Sequence, residues 1–425
     1  MPHVLECLSE SVRRGSPEGI YSVCSAHPLV LKAAAQVAHE QGTPLLIEAT
    51  SNQVNQFGGY SGMRPEDFRT FALKIAAAEG FDTRRIVLGG DHLGPNPWSN
   101  QPASEAMIHA EEMVAEYSRA GFEKIHLDAS MACEGESAPL PDSVVAERAA
   151  RLCKAAEAAA AGQPRYYVIG TEVPVPGGAT ESLAELEVTP LARAQQTYEV
   201  HRKVFAAAGL SAVWPRVIAL VVQPGVEFNH DSVVDYVPEK TVELRGLLKG
   251  NPGIVFEAHS SDYQRPAAYR ELVAGGFSIL KVGPALTFAL REALFALENI
   301  EREIVLASDC SNLARVVEEE MLAHPANWQK HYHGTPDEQR ILRRYSYSDR
   351  MRYYWGVPTV HAAAEKLFAN LKGCSIPETL ISAYLPAQYF AERAAGVRFS
   401  PEELAVFSVR QALAPYAAAG IIRAS

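Results

Sequence analysis

Eight short runs of β-branched and other apolar residues recur along most of the chain, and a helical pattern lies in each interval between them. The runs are YSVCSAH from Tyr21, PLLIEAT from Pro44, RIVLGGDH from Arg85, KIHLDAS from Lys124, YYVIGTE from Tyr166, VIALVVQ from Val217, GIVFEAH from Gly253 and SILKVGP from Ser278. Parallel strands that are buried on both faces have this composition. A strict alternation of eight such strands with helices is typical of a (β/α)8 TIM barrel. The sequence therefore predicts this α/β fold.

After the eighth run the β-rich pattern stops, and the rest of the chain has only helical patterns. We expect residues 1–306 to form the barrel and residues 307–425 to form a C-terminal helical extension packed on it, because no Ser/Gly-rich linker separates the two parts. A doubly wound open sheet usually carries a Gly-rich phosphate loop after its first strand. The first run here ends in AHP instead, which favours the barrel.

Charge and composition limit the class of partner. Lys and Arg number 39 and Asp and Glu 50, which gives a net charge of −11. Nucleic acids and anionic membranes select basic surfaces, so we expect neither as a partner. No apolar run approaches the roughly 18 to 20 residues of a membrane span, and the 6 cysteines are scattered without a disulfide framework. These features predict a cytoplasmic protein that acts on a small molecule.

Polar side chains lie at the end of nearly every predicted strand. In a TIM barrel the strand ends form the mouth where chemistry takes place. Burying such groups without partners costs several kcal/mol each, so their presence favours a site that uses them. The strand ends supply His27, Glu48, Thr50, Ser51, Asn52, Gln53, Asp91, His92, His126, Asp128, Ser130, Glu172, Gln223, Glu257, His259, Asp262, Lys281 and Gly283.

Two of these histidines, His92 and His259, together with Glu172 form a ligand set of the kind that a divalent metal of borderline softness takes. Asp91 precedes His92 directly and is placed to act as a general acid or base on a hydroxyl that the metal also polarises. The alternative is structural: either histidine could cap a strand backbone, and Asp91 could cap the following helix or loop.

Three further segments are candidates for binding phosphate. The loops EVPVPGG and SNQVNQFGGYSG carry glycines that let backbone amides approach an anion, although loop glycines also serve as turn formers. The segment RRYSYSDRMRYYW contains Arg350 and Arg352, which could bind a sugar phosphate from the extension or could pair with nearby carboxylates.

Several of these stretches together resemble one family. EATSNQVNQFGGYSGM, GGDHLGPNPW, HLDASM, GTEVPVPGG, FEAHSSDYQ, LKVGPALTFA and YSYSDRMRYYW are similar to the GatZ/KbaZ-type proteins, described as the non-catalytic subunit of class II D-tagatose-1,6-bisphosphate aldolase. The resemblance spans nearly the whole chain and implies a class II aldolase-like barrel. The wider group includes metal-dependent sugar 4-epimerases, among them D-tagatose 6-phosphate 4-epimerases.

The more distant class II fructose-bisphosphate aldolases imply roles for single residues. Their Asp-His pair on strand three resembles Asp91 and His92, their glutamate before a Gly-Gly pair resembles Glu172, and their metal histidine before a phosphate loop resembles His259. Two positions depart from that pattern. Their remaining metal histidine is replaced around Gln223, and their substrate-binding asparagine is replaced around Gly283. The resemblance thus implies a divalent metal, zinc or manganese, and argues against ordinary aldolase chemistry.

Three functions follow from this. The favoured hypothesis is a 4-epimerase that interconverts D-tagatose 6-phosphate and D-fructose 6-phosphate by a retro-aldol and aldol route, with Asp91 or Glu172 taking the C4 hydroxyl proton. The alternatives are a non-catalytic subunit that stabilises a separate class II aldolase subunit and, less favoured, an aldolase. The sequence leaves open the number of phosphates, a carboxylate in their place, and a homo-oligomer. The expected substrate-binding residues are Asn52, Gln53, Asp128, Gln223, Ser260, Ser261, Lys281, Gly283, Arg350 and Arg352.

Overall fold

A computed structural model describes residues 3–171 and 186–423. Eight parallel strands close into a barrel in which each strand pairs with its neighbours in sequence and the first pairs with the last. The predicted (β/α)8 barrel is therefore confirmed. The strands are β1 Ile20–Cys24, β2 Leu45–Thr50, β3 Ile86–Leu93, β4 Lys124–Leu127, β5 Tyr166–Ile169, β6 Val217–Val221, β7 Val255–Ala258 and β8 Ile279–Val282.

The barrel interior changes from apolar to polar along its axis. Side chains that alternate into the lower half are apolar, and they belong to one buried cluster that includes Ile20, Leu46 and Ile279. Successive inward residues on a strand are two positions apart. The next inward residues on these three strands are polar. Leu5 and Leu8 of the first helix join the apolar cluster and close the N-terminal end of the barrel. The polar half is thus left facing the opposite end, where the βα loops meet.

Fifteen helices are present among the described residues. Their bounds are α1 Val4–Arg13, α2 Pro28–Gln41, α3 Pro65–Ala78, α4 Ala103–Arg119, α5 Asp142–Ala159, α6 Leu191–Ala207, α7 Gly246–Gly250, α8 Pro266–Ala274, α9 Pro284–Ile304, α10 Leu313–Ala323, α11 Pro336–Tyr345, α12 Pro358–Lys372, α13 Glu378–Tyr384, α14 Pro386–Ala395 and α15 Pro401–Ala417. A two-stranded hairpin, Glu227–Phe228 with Val233–Val234, follows β6.

The helices after α9 pack onto the barrel. α15 lies against α2, α8 and α9, while α12 contacts α9 and α10. A short 3-10 turn, Arg350–Tyr353, contacts α9 and reaches the mouth of the barrel. The division of the chain at residue 306 stays a prediction. Among the described residues, no helix combines the length and apolar character that crossing a bilayer requires.

Candidate active site

A cavity opens at the C-terminal ends of the strands and receives side chains from the barrel and from the extension. Barrel residues form most of its wall, and Arg352 and Tyr353 of the 3-10 turn close one side. Its lining residues are Cys24, Thr50, Asn52, Gln53, Tyr60, Asp91, His92, Phe228, His259, Ser260, Asp262, Lys281, Val282, Gly283, Pro284, Arg352 and Tyr353.

Two residues at the mouth break the alternation of side chains along a strand. His92 and Ser260 have left-handed backbone conformations, with φ of 49° and 51°. Such values are rare for residues other than glycine and are often found at functional sites. Because of this turn, Asp91 and His92 both line the cavity although they are sequence neighbours, and so do His259 and Ser260.

At the floor of the cavity, two lysines and three carboxylates form a buried ionic layer. Lys124 Nζ lies 2.5 Å from Glu48 Oε1 and 2.7 Å from Glu257 Oε2. Lys281 Nζ pairs with Glu48 Oε2 and lies 3.0 Å from Asp91 Oδ1. Buried charges persist only when they are paired in this way, because removing one partner leaves an uncompensated charge. The layer therefore holds Asp91 in a fixed position at the floor of the cavity.

Three imidazoles stand on this layer. The ring centres of His92, His126 and His259 are separated by 4.9 Å for His92 to His259 and by 5.2 Å for each of the other two pairs. His92 Nδ1 lies 2.8 Å from Asp128 Oδ2, His126 Nδ1 lies 3.0 Å from Asp91 Oδ1, and His259 Nε2 lies 2.9 Å from Glu257 Oε1. Carboxylates that orient imidazoles in this way are common around protein-bound metals.

This cluster suits a divalent cation on two counts. One ligand atom from each of Asp91, His126, Glu257 and His259 can be chosen so that all four lie within 4.8 Å of one another. The Nε2 atom of His126 is buried without a hydrogen-bond partner, and an unprotonated Nε2 there is a ready metal ligand.

The carboxylates and imidazoles of the cluster set one another's protonation. Burial acts to lower the pKa of His92, but Asp91 and the hydrogen bond to Asp128 outweigh it and raise the pKa to about 9. Burial acts to raise the pKa of Asp91, but His92 and the hydrogen bond from His126 outweigh it and hold the pKa well below the ordinary value. Burial lowers the pKa of His259. Asp91 is therefore ionised throughout the physiological pH range.

The opposite side of the mouth is built around an arginine. Arg352 Nη2 donates to Tyr353 Oη at 3.0 Å, and the ring of Tyr353 packs edge-on against Tyr60 with centres 4.8 Å apart. The preceding Asp349 is fully buried, and its carboxylate lies 3.4 Å from Arg291 Nη1 of α9. This ion pair anchors the 3-10 turn to the barrel and so fixes Arg352 at the cavity.

The predicted site residues divide into three groups. Those that line the cavity are Asn52, Gln53, Asp91, His92, His259, Ser260, Lys281, Gly283 and Arg352. Those that lie outside its lining are Asp128, which holds His92; Gln223, whose Oε1 accepts from the amides of Gly225 and Val226; Ser261, which donates to the carbonyl of Lys281; and Arg350, which donates to the carbonyl of Asn327. Glu172 lies outside the described residues.

His126 and Glu257 lie at strand ends, as predicted, but they were not predicted to be metal ligands. Both occupy inward positions two residues from another site residue, as in Lys124-Ile-His126 and Glu257-Ala-His259. The sequence does carry a signal for them. Where a charged residue and a histidine are two positions apart at the end of a barrel strand, both side chains point into the barrel.

The fold and this site define a (β/α)8-barrel protein whose polar mouth is completed by a helical extension. The chain belongs to the D-tagatose-1,6-bisphosphate aldolase subunit GatZ/KbaZ-like family, which matches residues 5–421.

Solved structures similar to this chain include one close relative. The crystal structure of a probable tagatose 6 phosphate kinase from Sinorhizobium meliloti 1021 is 50% identical, covers 94% of this chain and 100% of its own, and has a TM-score of 0.87. The YdjI aldolase from Escherichia coli K12 is 11% identical, covers 85% of this chain and 95% of its own, and has a TM-score of 0.41. A fructose-bisphosphate aldolase from Campylobacter jejuni is 15% identical, covers 85% and 89%, and has a TM-score of 0.42.

Proposed function

We propose that the protein is a metal-dependent 4-epimerase of a phosphorylated ketohexose, which interconverts D-tagatose 6-phosphate and D-fructose 6-phosphate by cleaving and re-forming the C3–C4 bond. The observation that carries this proposal is the convergence of Asp91, His126, Glu257 and His259 into one buried cluster at a cavity that Arg352 and Tyr353 close on one side. Walls on several sides suit a reaction in which both fragments must stay bound between cleavage and re-formation.

The charges lining the cavity support a substrate with one anionic group. Lys281 is paired with Glu48 and Asp91, which leaves Arg352 as the lining cation that meets no carboxylate within salt-bridge distance among the described residues. The segment 172–185 contains no Lys or Arg that could add a second. A guanidinium binds phosphate well through its several donors. A monophosphate is favoured, and the name of the 50% identical structure, with tagatose 6 phosphate in it, agrees.

In the proposed reaction, the phosphate lies against Arg352 and the reacting carbons lie over the imidazole cluster. A divalent metal, zinc or manganese, held by Asp91, His126, Glu257 and His259, would polarise the substrate oxygens at C2 and C3. Of the two carboxylate oxygens of Asp91, one can hold the metal and the other can accept the C4 hydroxyl proton. His92 remains a predicted ligand: Asp128 fixes its ring beside that of His259, and it would have to lose the proton that its raised pKa favours before it could bind a metal. Glu172 remains a predicted ligand or base.

The test is to incubate the purified chain alone with D-tagatose 6-phosphate, with and without a chelator. Formation of D-fructose 6-phosphate that the chelator abolishes and added zinc or manganese restores supports the epimerase. Accumulation of triose phosphate would make the protein an aldolase. If no metal supplement gives turnover, the role of a stabilising partner for a separate aldolase subunit, which the family name suggests, replaces the proposal.

A further inference from the structure

Epimerisation at C4 places the oxygen on that carbon in two different positions. If the C3–C4 bond breaks, the aldehyde turns its other face and the bond re-forms, then the C4 oxygen loses its proton on one side of the cavity and regains one on the other. Proton transfer needs a group within hydrogen-bond reach of the oxygen at each position. A second group, on the side of the mouth away from Asp91, would meet that need after the aldehyde has turned.

Asp262 meets the geometric requirement. It follows the end of β7, and β7 lies four strands around the closed barrel from β3, which carries Asp91. Its side chain is buried and lines the same cavity. Oδ1 accepts hydrogen bonds from the amides of Gly283 at 3.1 Å and Ala285 at 2.9 Å, at the start of α9. Oδ2 accepts no hydrogen bond from any other described residue and is available to a substrate hydroxyl.

A proton-transfer group works best when its pKa lies near the working pH. The surroundings of Asp262 bring its pKa toward that range. Burial raises the pKa of Asp262 to about 6, and the two amides and Arg352 limit the rise. The other titratable groups near it are Tyr263 in its own loop, Tyr269 of α8 and Tyr416 of α15. Burial raises the pKa of each tyrosine, so all three are neutral at physiological pH.

We propose that Asp262 is the second proton-transfer group of the 4-epimerase, a role that rests on the proposed function. From one epimer, Asp91 takes the proton of the C4 hydroxyl, and the O–H electron pair forms the C4 carbonyl. The C3–C4 pair becomes the C2–C3 double bond, and the π pair of the C2 carbonyl moves onto its oxygen to give an enediolate. After the aldehyde has turned, the enediolate C3 attacks the other face of C4. Asp262 gives its proton to the new C4 alkoxide. Bond cleavage and bond formation move the same electron pairs in opposite directions, so no oxidant or reductant is consumed. After the product leaves, Asp91 gives its proton to water and Asp262 takes one from water, which restores both groups for the next turnover. The reverse reaction uses the two carboxyl groups in the opposite order.

The experiment compares the wild type with Asp262→Asn and with Asp337→Asn, a control whose side chain is 94% exposed. The carboxamide of Asp262→Asn can still accept the two backbone amides through its Oδ1, so the cap of α9 survives while proton transfer is lost. We expect kcat to fall about 10²- to 10⁴-fold, with KM and bound metal within about threefold of wild type. In single turnover, acid quenching should reveal bound glyceraldehyde 3-phosphate from one epimer and not from the other, an asymmetry that a merely structural role would not produce.

A kcat of Asp262→Asn within about threefold of wild type would overturn this role while leaving the proposed function intact. If Asp262→Asn cleaves both epimers equally slowly in single turnover, this role would also be overturned, because Asp262 would then have only a structural role. Asp262→Glu, which keeps the carboxyl group, should recover part of the activity if Asp262→Asn folds poorly. Absence of turnover in the wild type would reject the proposed function itself and this role with it.

Discussion

The carboxyl group of Asp262 should make the stability of the protein depend on pH in a way that one substitution removes. Burial raises its pKa to about 6 in the folded chain, against about 4 for an exposed aspartate. The folded state therefore favours the neutral acid. Its contribution to stability is fully present below pH 4 and is lost as the pH rises through 6. Asp262→Asn keeps a neutral side chain at every pH and should escape that loss.

The size of the effect follows from the two pKa values. A difference of about 2 pKa units corresponds to about 3 kcal/mol, at 1.36 kcal/mol for each unit. At pH 8 the free energy of unfolding of Asp262→Asn should exceed that of the wild type by up to this amount, and below pH 4 the two should agree. Unfolding entropies scale with chain length, so for 425 residues the midpoint temperature should rise by about 3 °C.

Urea denaturation at several pH values between 4 and 8 measures this difference, with thermal melts as a second readout. Asp337→Asn, altered at an exposed aspartate, should follow the wild type at every pH. If Asp262→Asn is less stable than the wild type at pH 8, or if the gap between them does not change with pH, the reasoning from burial is refuted. A stabilised but inactive variant would mean that the wild type gives up stability to keep a carboxyl group at the mouth.

Four other substitutions test the site, each read against Asp337→Asn. His259→Ala should lower the bound zinc or manganese measured on the purified protein, and unchanged metal content would give His259 a structural role only. Asp91→Asn should reduce kcat by about 10²-fold or more, and full activity would remove Asp91 from the mechanism. Arg352→Ala should raise KM for the sugar phosphate about 10- to 100-fold, the loss of one charge-assisted contact; an unchanged KM would place the phosphate elsewhere. Lys124→Met should cost about 3 to 5 kcal/mol of unfolding free energy, because two buried carboxylates lose their partner, and a smaller loss in urea titrations would contradict the ionic layer.

The barrel was accessible to sequence analysis because its signal is repeated eight times. Each strand is a short apolar run, and the order of strands around a closed parallel barrel follows from the chain order. The closure of the N-terminal end of the barrel by α1 was not predicted. Its leucines, Leu5 and Leu8, acquire their role only when the open end of the barrel exists to receive them.

Only part of the site could be predicted from the sequence. Strand ends indicate which residues reach the mouth, and this brought Asp91, His92 and His259 into one prediction. The metal-suited position of His126 depends on its contact with Asp91 on the neighbouring strand, which local sequence does not specify. Gln223 illustrates the opposite case: a polar residue at a strand end whose side chain is used by the amides of its own loop. Strand-end position alone does not separate these two outcomes.

The glycine at position 89 has a consequence for how this family can vary. A Cβ atom at Gly89 would lie 2.5 Å from Glu48 Oε1, the same oxygen that Lys124 contacts. Adding even one methyl group to β3 would thus displace the glutamate that neutralises two lysines. Changes at residues 48, 89, 124 and 281 are therefore expected to be epistatic, and related sequences should replace these four positions as a set or leave all of them untouched.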